Sequence, residues 1–175
     1  MTPIAPGTHL DHLLRQTRMH HVQLSSMADV KANIMLTLAA IVTTFSIGYL
    51  SDPTLRWPVV VLILFCAATV FFAAYAVMPK LDFNYRPEIK NPDCNILFFG
   101  NFMNLDYETF RGIMEEVMAS PENTYEAQIR EVYELGAYLG HQKYRYVRLA
   151  YLTFIGGLVS SGLLLVVIEV FRYWG

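Results

Sequence analysis

Three uninterrupted apolar runs, Ala32 to Leu50, Val59 to Met78 and Ala150 to Phe171, constrain this chain more than any other feature of it. Each is close to the ~20 residues a helix needs to cross a hydrocarbon core ~30 Å thick. The first two contain no charged residue, and the third contains only Glu169, near its end. A core helix of a soluble domain would keep a polar stripe, whereas these runs are apolar all round. The expected fold is therefore an all-α membrane protein. It has three transmembrane helices and a cytoplasmic helical bundle formed by long helices continuous with the spans.

At 175 residues, 54% of them hydrophobic, the chain has room for three spans and one modest soluble part. A formal net charge of -2 excludes a generally basic binder of nucleic acid. The segment before Ala32 carries Asp11, Arg15, Arg18, Asp29 and Lys31, with no apolar stretch ahead of a small-residue cleavage site. The first span is therefore expected to be retained. Of the two cysteines, Cys66 falls in the second run and Cys94 in the soluble stretch, which argues against a disulfide framework.

Lysine and arginine placement sets the expected orientation. The connection Ser51 to Pro58 holds only Arg56, whereas the stretch Pro79 to Arg148 holds Lys80, Arg86, Lys90, Arg111, Arg130, Lys143, Arg145 and Arg148. Positive charge gathers on the cytoplasmic side, so the N-terminus and the long stretch are expected inside. The expected division is a cytoplasmic N-terminal helix over 1–31, a transmembrane hairpin over 32–78 with spans 32–50 and 59–78, a cytoplasmic helical region over 79–149, a third transmembrane helix over 150–171 and a short external tail over 172–175.

Local signals fill in the elements. Thr8-His9-Leu10-Asp11 resembles a capping-box helix start, and no Gly or Pro interrupts the chain from Thr8 to Gly48. One helix is expected to project roughly 30 Å before entering the first span. Asp52-Pro53 marks a turn, and Trp57-Pro58 suits a helix start. Pro87 and Pro92 predict an irregular segment, and Asn95 to Phe102 reads as a short strand or an extended plug. Asp106 is the expected cap of a helix from Tyr107 to Ala119. Ser120-Pro121-Glu122 restarts a helix that continues through Lys143 into the third span.

Several positions invite a role. Asp29 and Lys31 sit at the mouth of the first span, either as solvated interfacial charges or as the point coupling a cytoplasmic event to the membrane. Lys143, Tyr144 and Arg145 interleave cations with a ring. That pattern suits a phosphate and a stacked base, and equally a membrane boundary. Gly136 and Gly140, then Gly156, Gly157 and Ser160, have the spacing of close helix packing and favour a homo-oligomer. Glu169 is expected to pair with Arg172, while Glu115-Glu116 and Glu131/Glu134 read as solvated faces. His9, His12, His20 and His21 lack the ligand pattern of a metal site. No phosphate loop, nucleophile elbow or paired catalytic carboxylates occur, so an enzyme is not expected.

Three stretches together resemble the small transmembrane effectors of Pycsar antiphage systems, the PycTM-type family. They are Met27-Ala28-Asp29-Val30-Lys31-Ala32, Asn95-Ile96-Leu97-Phe98-Phe99-Gly100, and Gly136 followed by Lys143-Tyr144-Arg145. Their order and spacing match over roughly residues 20 to 170. The resemblance implies a multi-pass protein of the bacterial inner membrane. It would respond to cyclic UMP or cyclic CMP from a cognate cyclase and then compromise the membrane. Lys143 and Arg145 would meet the phosphate, Tyr144 or the Phe98/Phe99 run would stack the base, and Asn95 or Asn101 would read its edge. No cofactor or nucleic acid enters this reading; the partners are the lipid bilayer, the nucleotide and other copies of the chain. Two other classes fit the composition: a pore subunit triggered by a partner protein, and a non-sensing membrane scaffold.

Overall fold

A computed structural model describes residues 7–79 and 94–174. The segment in which Pro87 and Pro92 predict irregular chain lies outside the described residues, as do Lys80, Arg86 and Lys90. The described chain is helical, and three of its helices are long and apolar enough to cross a membrane. They are α1 (Thr8–Ile47), α2 (Arg56–Val77), and the continuous helix formed by α5 (Pro121–Tyr138), a π-turn (Leu139–Tyr144) and α6 (Arg145–Trp174). Two short helices, α3 (Phe99–Phe102) and α4 (Tyr107–Met118), complete the set.

The expected helix starts and stops follow from local chemistry. Helix α1 runs unbroken to Ile47 and tightens into a 3-10 turn at Gly48–Ser51. Asp52 then ends it, its Oδ1 accepting from the amides of Thr54 at 2.8 Å and Leu55 at 3.4 Å. Helix α2 starts at Arg56, so Pro58 falls inside the first turn, where its missing N–H loses no helical bond. Asp106 caps α4 through the Thr109 amide at 2.9 Å, and Ser120 caps α5 through Asn123 at 3.2 Å, with Pro121 at the first helical position.

Two expectations are corrected. Asn95 to Phe102 is neither strand nor extended plug: it turns at Asn95 and ends in the single helical turn of α3. The Thr8 start uses the Gly7 carbonyl, which accepts from Leu10 at 2.9 Å, and not a capping box. Asp11 is diverted from the helix end because it accepts the Tyr125 hydroxyl at 2.8 Å. The helix does continue through Lys143 into the third span, as expected, and widens there into a π-turn, which takes one more residue per hydrogen-bonded loop than an α-turn. Gly136 and Gly140 give this stretch low helical propensity, so the distortion is cheap.

The described chain forms two compact units. Their described residues are 7–24, 79 and 94–139 in the first unit and 25–78 and 140–174 in the second. In the first, α1 and α5 pack in parallel. Asp11 meets Tyr125, Arg18 pairs with Glu131 at 2.9 Å, and the His21 ring lies 3.2 Å from where a Gly136 side chain would start. Helix α4 folds back on α5, with Asn123 Nδ2 donating to the Glu116 carbonyl at 3.0 Å and the Thr124 hydroxyl donating to that of Val117 at 3.0 Å.

In the second unit the core is built from small residues. Ala28, Ala32 and Met35 of α1 pack with Ala73 and Ala76 of α2 and with Val147 and Ala150 of α6. Alanines let helix backbones approach closely, which matters in a bilayer where burial of apolar surface supplies no net drive. Deeper along α2 and α6, the Thr69 and Thr153 hydroxyls meet at 3.0 Å. The Ser161 hydroxyl donates to the Pro58 carbonyl at 2.9 Å. Gly157 packs so tightly that a side-chain carbon there would stand 2.5 Å from Phe65 Cβ, and Gly156 also faces Phe65, at 3.4 Å. Ser160 turns inward on its own helix, donating to the Gly156 carbonyl at 2.6 Å. Gly140, by contrast, has nothing within 4 Å of its missing side chain, so its smallness serves no packing within the described chain.

Candidate functional site

A charge cluster sits at the N-terminal mouth of the first span, within the second unit. Ser25 and Asp29 are one helical turn apart on α1, so they present their oxygens on one face. Toward them comes Lys143 from the π-turn, with Nζ 2.7 Å and 2.8 Å from the two Asp29 carboxylate oxygens and 2.8 Å from Ser25 Oγ. An ammonium has three N–H groups, and this geometry gives each of them an acceptor. The Lys143 side chain is 13% exposed and that of Asp29 is 40% exposed. The pair therefore has water on one side and the Ala28–Val147 layer on the other. Alongside, Lys31 Nζ stands 5.8 Å from the centre of the Tyr144 ring, a second link between α1 and the π-turn.

The arrangement brings together residues from two motifs about a hundred positions apart in the chain, Asp29 with Lys143 and Lys31 with Tyr144. A partly buried pair of this kind holds two helices in one register. Removing Asp29 leaves the largely buried Lys143 ammonium without its counter-charge, at a cost of about 1–3 kcal/mol. Arg145, next along the chain, is exposed.

The other residues considered for a ligand, Asn95, Phe98, Phe99 and Asn101, lie in the first unit. Asn95 is buried, and its side chain is used internally, with Oδ1 accepting from the Leu97 amide at 3.1 Å. The Asn101 side-chain amide donates to the Asn95 carbonyl at 2.8 Å, closing the same turn. Phe98 and Phe99 are 41% and 53% exposed, with ring centres 5.0 Å apart, and so present open aromatic faces. Cys94 is half-buried. Burial and the Glu134 carboxylate raise its thiol pKa, against a smaller opposing effect of Arg130, which makes it a poor nucleophile.

Glu131 does not lie on a solvated face. It is buried against Arg18, and burial raises its carboxyl pKa despite that cation. Sequence reasoning missed it because charge alone reads as surface. The available signal was the apolar neighbourhood of Ile129, Val132 and Leu135 on the same helix. Ser25 and the seam of Ala28, Ala32 and Ala39 were also missed. With Met35 included, their spacing of three to four residues beside Asp29 was the signal available. Glu169 does pair with Arg172, at 3.7 Å. Among the described residues no group of three or more His, Cys, Asp or Glu side chains is arranged to hold a metal ion.

The fold and the charged mouth of its spans define a small multi-helix membrane protein in which soluble and apolar segments share the same helices. A family model described as the Pycsar effector protein domain, PycTM, matches residues 12–168. The chain belongs to that family, and its role is that of an effector in an antiphage Pycsar system. No curated protein matches it, and no solved structure matches it.

Proposed function

We propose that the protein responds to a cyclic pyrimidine mononucleotide, cyclic UMP or cyclic CMP, and impairs the bacterial inner membrane in which it sits with its N-terminus cytoplasmic. It acts as a homo-oligomer, and its nucleotide comes from a cognate cyclase. The observation that carries this reading is the Lys143–Asp29–Ser25 cluster, which joins, where helices enter the apolar zone, two of the stretches that resemble the family.

The chemistry of such a response is simple. A ligand moves a two-state protein only by its differential affinity for the two states. Asp29 is the resident anion on Lys143, and a cyclic phosphodiester is a competing one. Binding of the nucleotide near Lys143 and Arg145 weakens the hold of Lys143 on α1 and favours a second arrangement of the spans. Within the first unit, Phe98 and Phe99 keep exposed rings and Asn95 and Asn101 keep that segment folded. The excess of Lys and Arg in the long connecting stretch supports the orientation.

The test is membrane potential in cells expressing the full chain with and without a co-expressed uridylate or cytidylate cyclase. Depolarisation only with an active cyclase is the expected result. Depolarisation in every case would point to a pore triggered by a protein partner. Intact potential with both cyclases, the chain being present in the membrane, would overturn the effector reading in favour of a scaffold.

A further inference from the structure

The mouth of the spans carries more positive charge than its own acid neutralises. Within 25–36 of α1 and 140–155 of the third spanning helix, Asp29 is the sole acidic residue, and Lys143 holds it. Lys31, Arg145 and Arg148 are exposed, and among the described residues none of the three has a salt bridge. Lys31 and Arg148 are related through one ring. Lys31 Nζ stands 5.8 Å from the centre of Tyr144, and Arg148 follows Tyr144 by four residues, on the same helix face.

Each of these two cations heads an apolar ladder. Ile34 and Leu38 follow Lys31 at three and seven residues on one face of α1, and both are exposed. Leu152 and Ile155 follow Arg148 at four and seven residues on one face of α6, and both are exposed. Val147 and Ala150, which flank Arg148 in the chain, pack in one layer with Ala32, the residue after Lys31. The two cations therefore stand at one depth, where both helices become apolar.

Charge followed by aliphatic surface is the order of groups along a phospholipid. Tails cover the two ladders whatever headgroup they belong to, so the ladders confer no selectivity. The headgroup does. Unneutralised cations at the edge of the hydrocarbon favour a lipid of net negative charge, and the guanidinium fork matches the oxygens of a phosphodiester.

We infer that Lys31 and Arg148 hold the phosphodiester headgroup of an anionic phospholipid, with its tails along the Ile34–Leu38 and Leu152–Ile155 faces. A soluble phosphate lacks the tails that fix its charge at this depth. The lipid site goes beyond the proposed function and does not rest on it, since it needs no nucleotide and no cyclase.

The experiment is a lipid titration of the purified full chain in a neutral detergent, with bound lipids counted by native mass spectrometry. Dioleoyl phosphatidylglycerol and dioleoyl phosphatidylcholine have the same tails and differ in net charge. The parent chain should retain the first about ten-fold better than the second. Lys31→Gln combined with Arg148→Gln should bring the two lipids to near-equal retention. Arg172→Gln, which removes a cation from the opposite end of α6, should leave the preference in place. Arg148→Lys keeps the charge and should keep most of the preference, which separates a lost charge from a lost fold. Inorganic phosphate added at unchanged ionic strength should not displace the lipid. Equal retention of both lipids by the parent chain would overturn the inference without recourse to any variant. So would an unchanged preference in the double variant, an equal loss in Arg172→Gln, or displacement by phosphate.

Discussion

Glycine 157 and glutamate 131 are the residues whose surroundings make the sharpest demands. A side chain at position 157 must displace Phe65 at its Cβ, which is anchored to backbone and cannot swing away. Gly157→Leu is therefore expected to destabilise the spans by about 1–3 kcal/mol, the usual cost of overpacking. Gly162→Leu, with nothing within 4 Å, should be close to silent. Unfolding titrations of both variants in detergent micelles would check this contrast. Glu131 supplies a pH dependence with a definite sign. Its pKa is raised on folding by burial, more than Arg18 lowers it. The folded state thus binds its proton more tightly than the unfolded one. The resulting stabilisation is complete below the ordinary glutamate range and lost as pH rises through the raised value. Glu131→Gln should flatten that part of the pH–stability curve, which thermal unfolding at several pH values would show.

At the scale of elements, the two helix restarts show how short-range chemistry decides boundaries. Ser120→Ala removes the side-chain acceptor for the Asn123 amide and should cost about 1 kcal/mol. Its effect belongs to the α4–α5 turn, so faster amide exchange there, with the spans unchanged, is the expected signature. The elements also explain what could be read in advance. Alpha-1 was legible because absence of Gly and Pro, together with a sustained apolar run, is a local property. The π-turn was not, because its widened geometry depends on what Lys143 meets on another helix. Asn95 to Phe102 was misread because its aromatic content suits a strand, whereas the Asn95 side chain folds it into a turn.

For the whole molecule, the Asp29–Lys143 pair is the contact whose removal should change behaviour as well as stability. Asp29→Asn frees Lys143 from its resident anion, so cells carrying it should depolarise without a cyclase, or at roughly ten- to hundred-fold lower cyclase output. Lys143→Met breaks the same contact while removing the cation, and should depolarise cells whatever the cyclase. Joining Asp29→Lys with Lys143→Asp remakes the pair in reverse, and should be quiet and deaf to nucleotide. Membrane potential with a voltage-sensitive dye reads all three. If every variant behaved like the parent chain, the cluster would be a structural brace and not the coupling point.

Helix continuity, the caps at Asp106 and Ser120 and the presence of three spans were determined by the sequence alone. Each depends on residues within one or two turns of one another, or on hydropathy summed along a run. The tertiary structure alone decided that Lys143 meets Asp29, that Glu131 is buried on Arg18, and that Gly157 is packed while Gly140 is open. Those outcomes depend on the rotational setting of one helix against another. Each setting results from packing over the whole interface, and no single segment of the chain contains it.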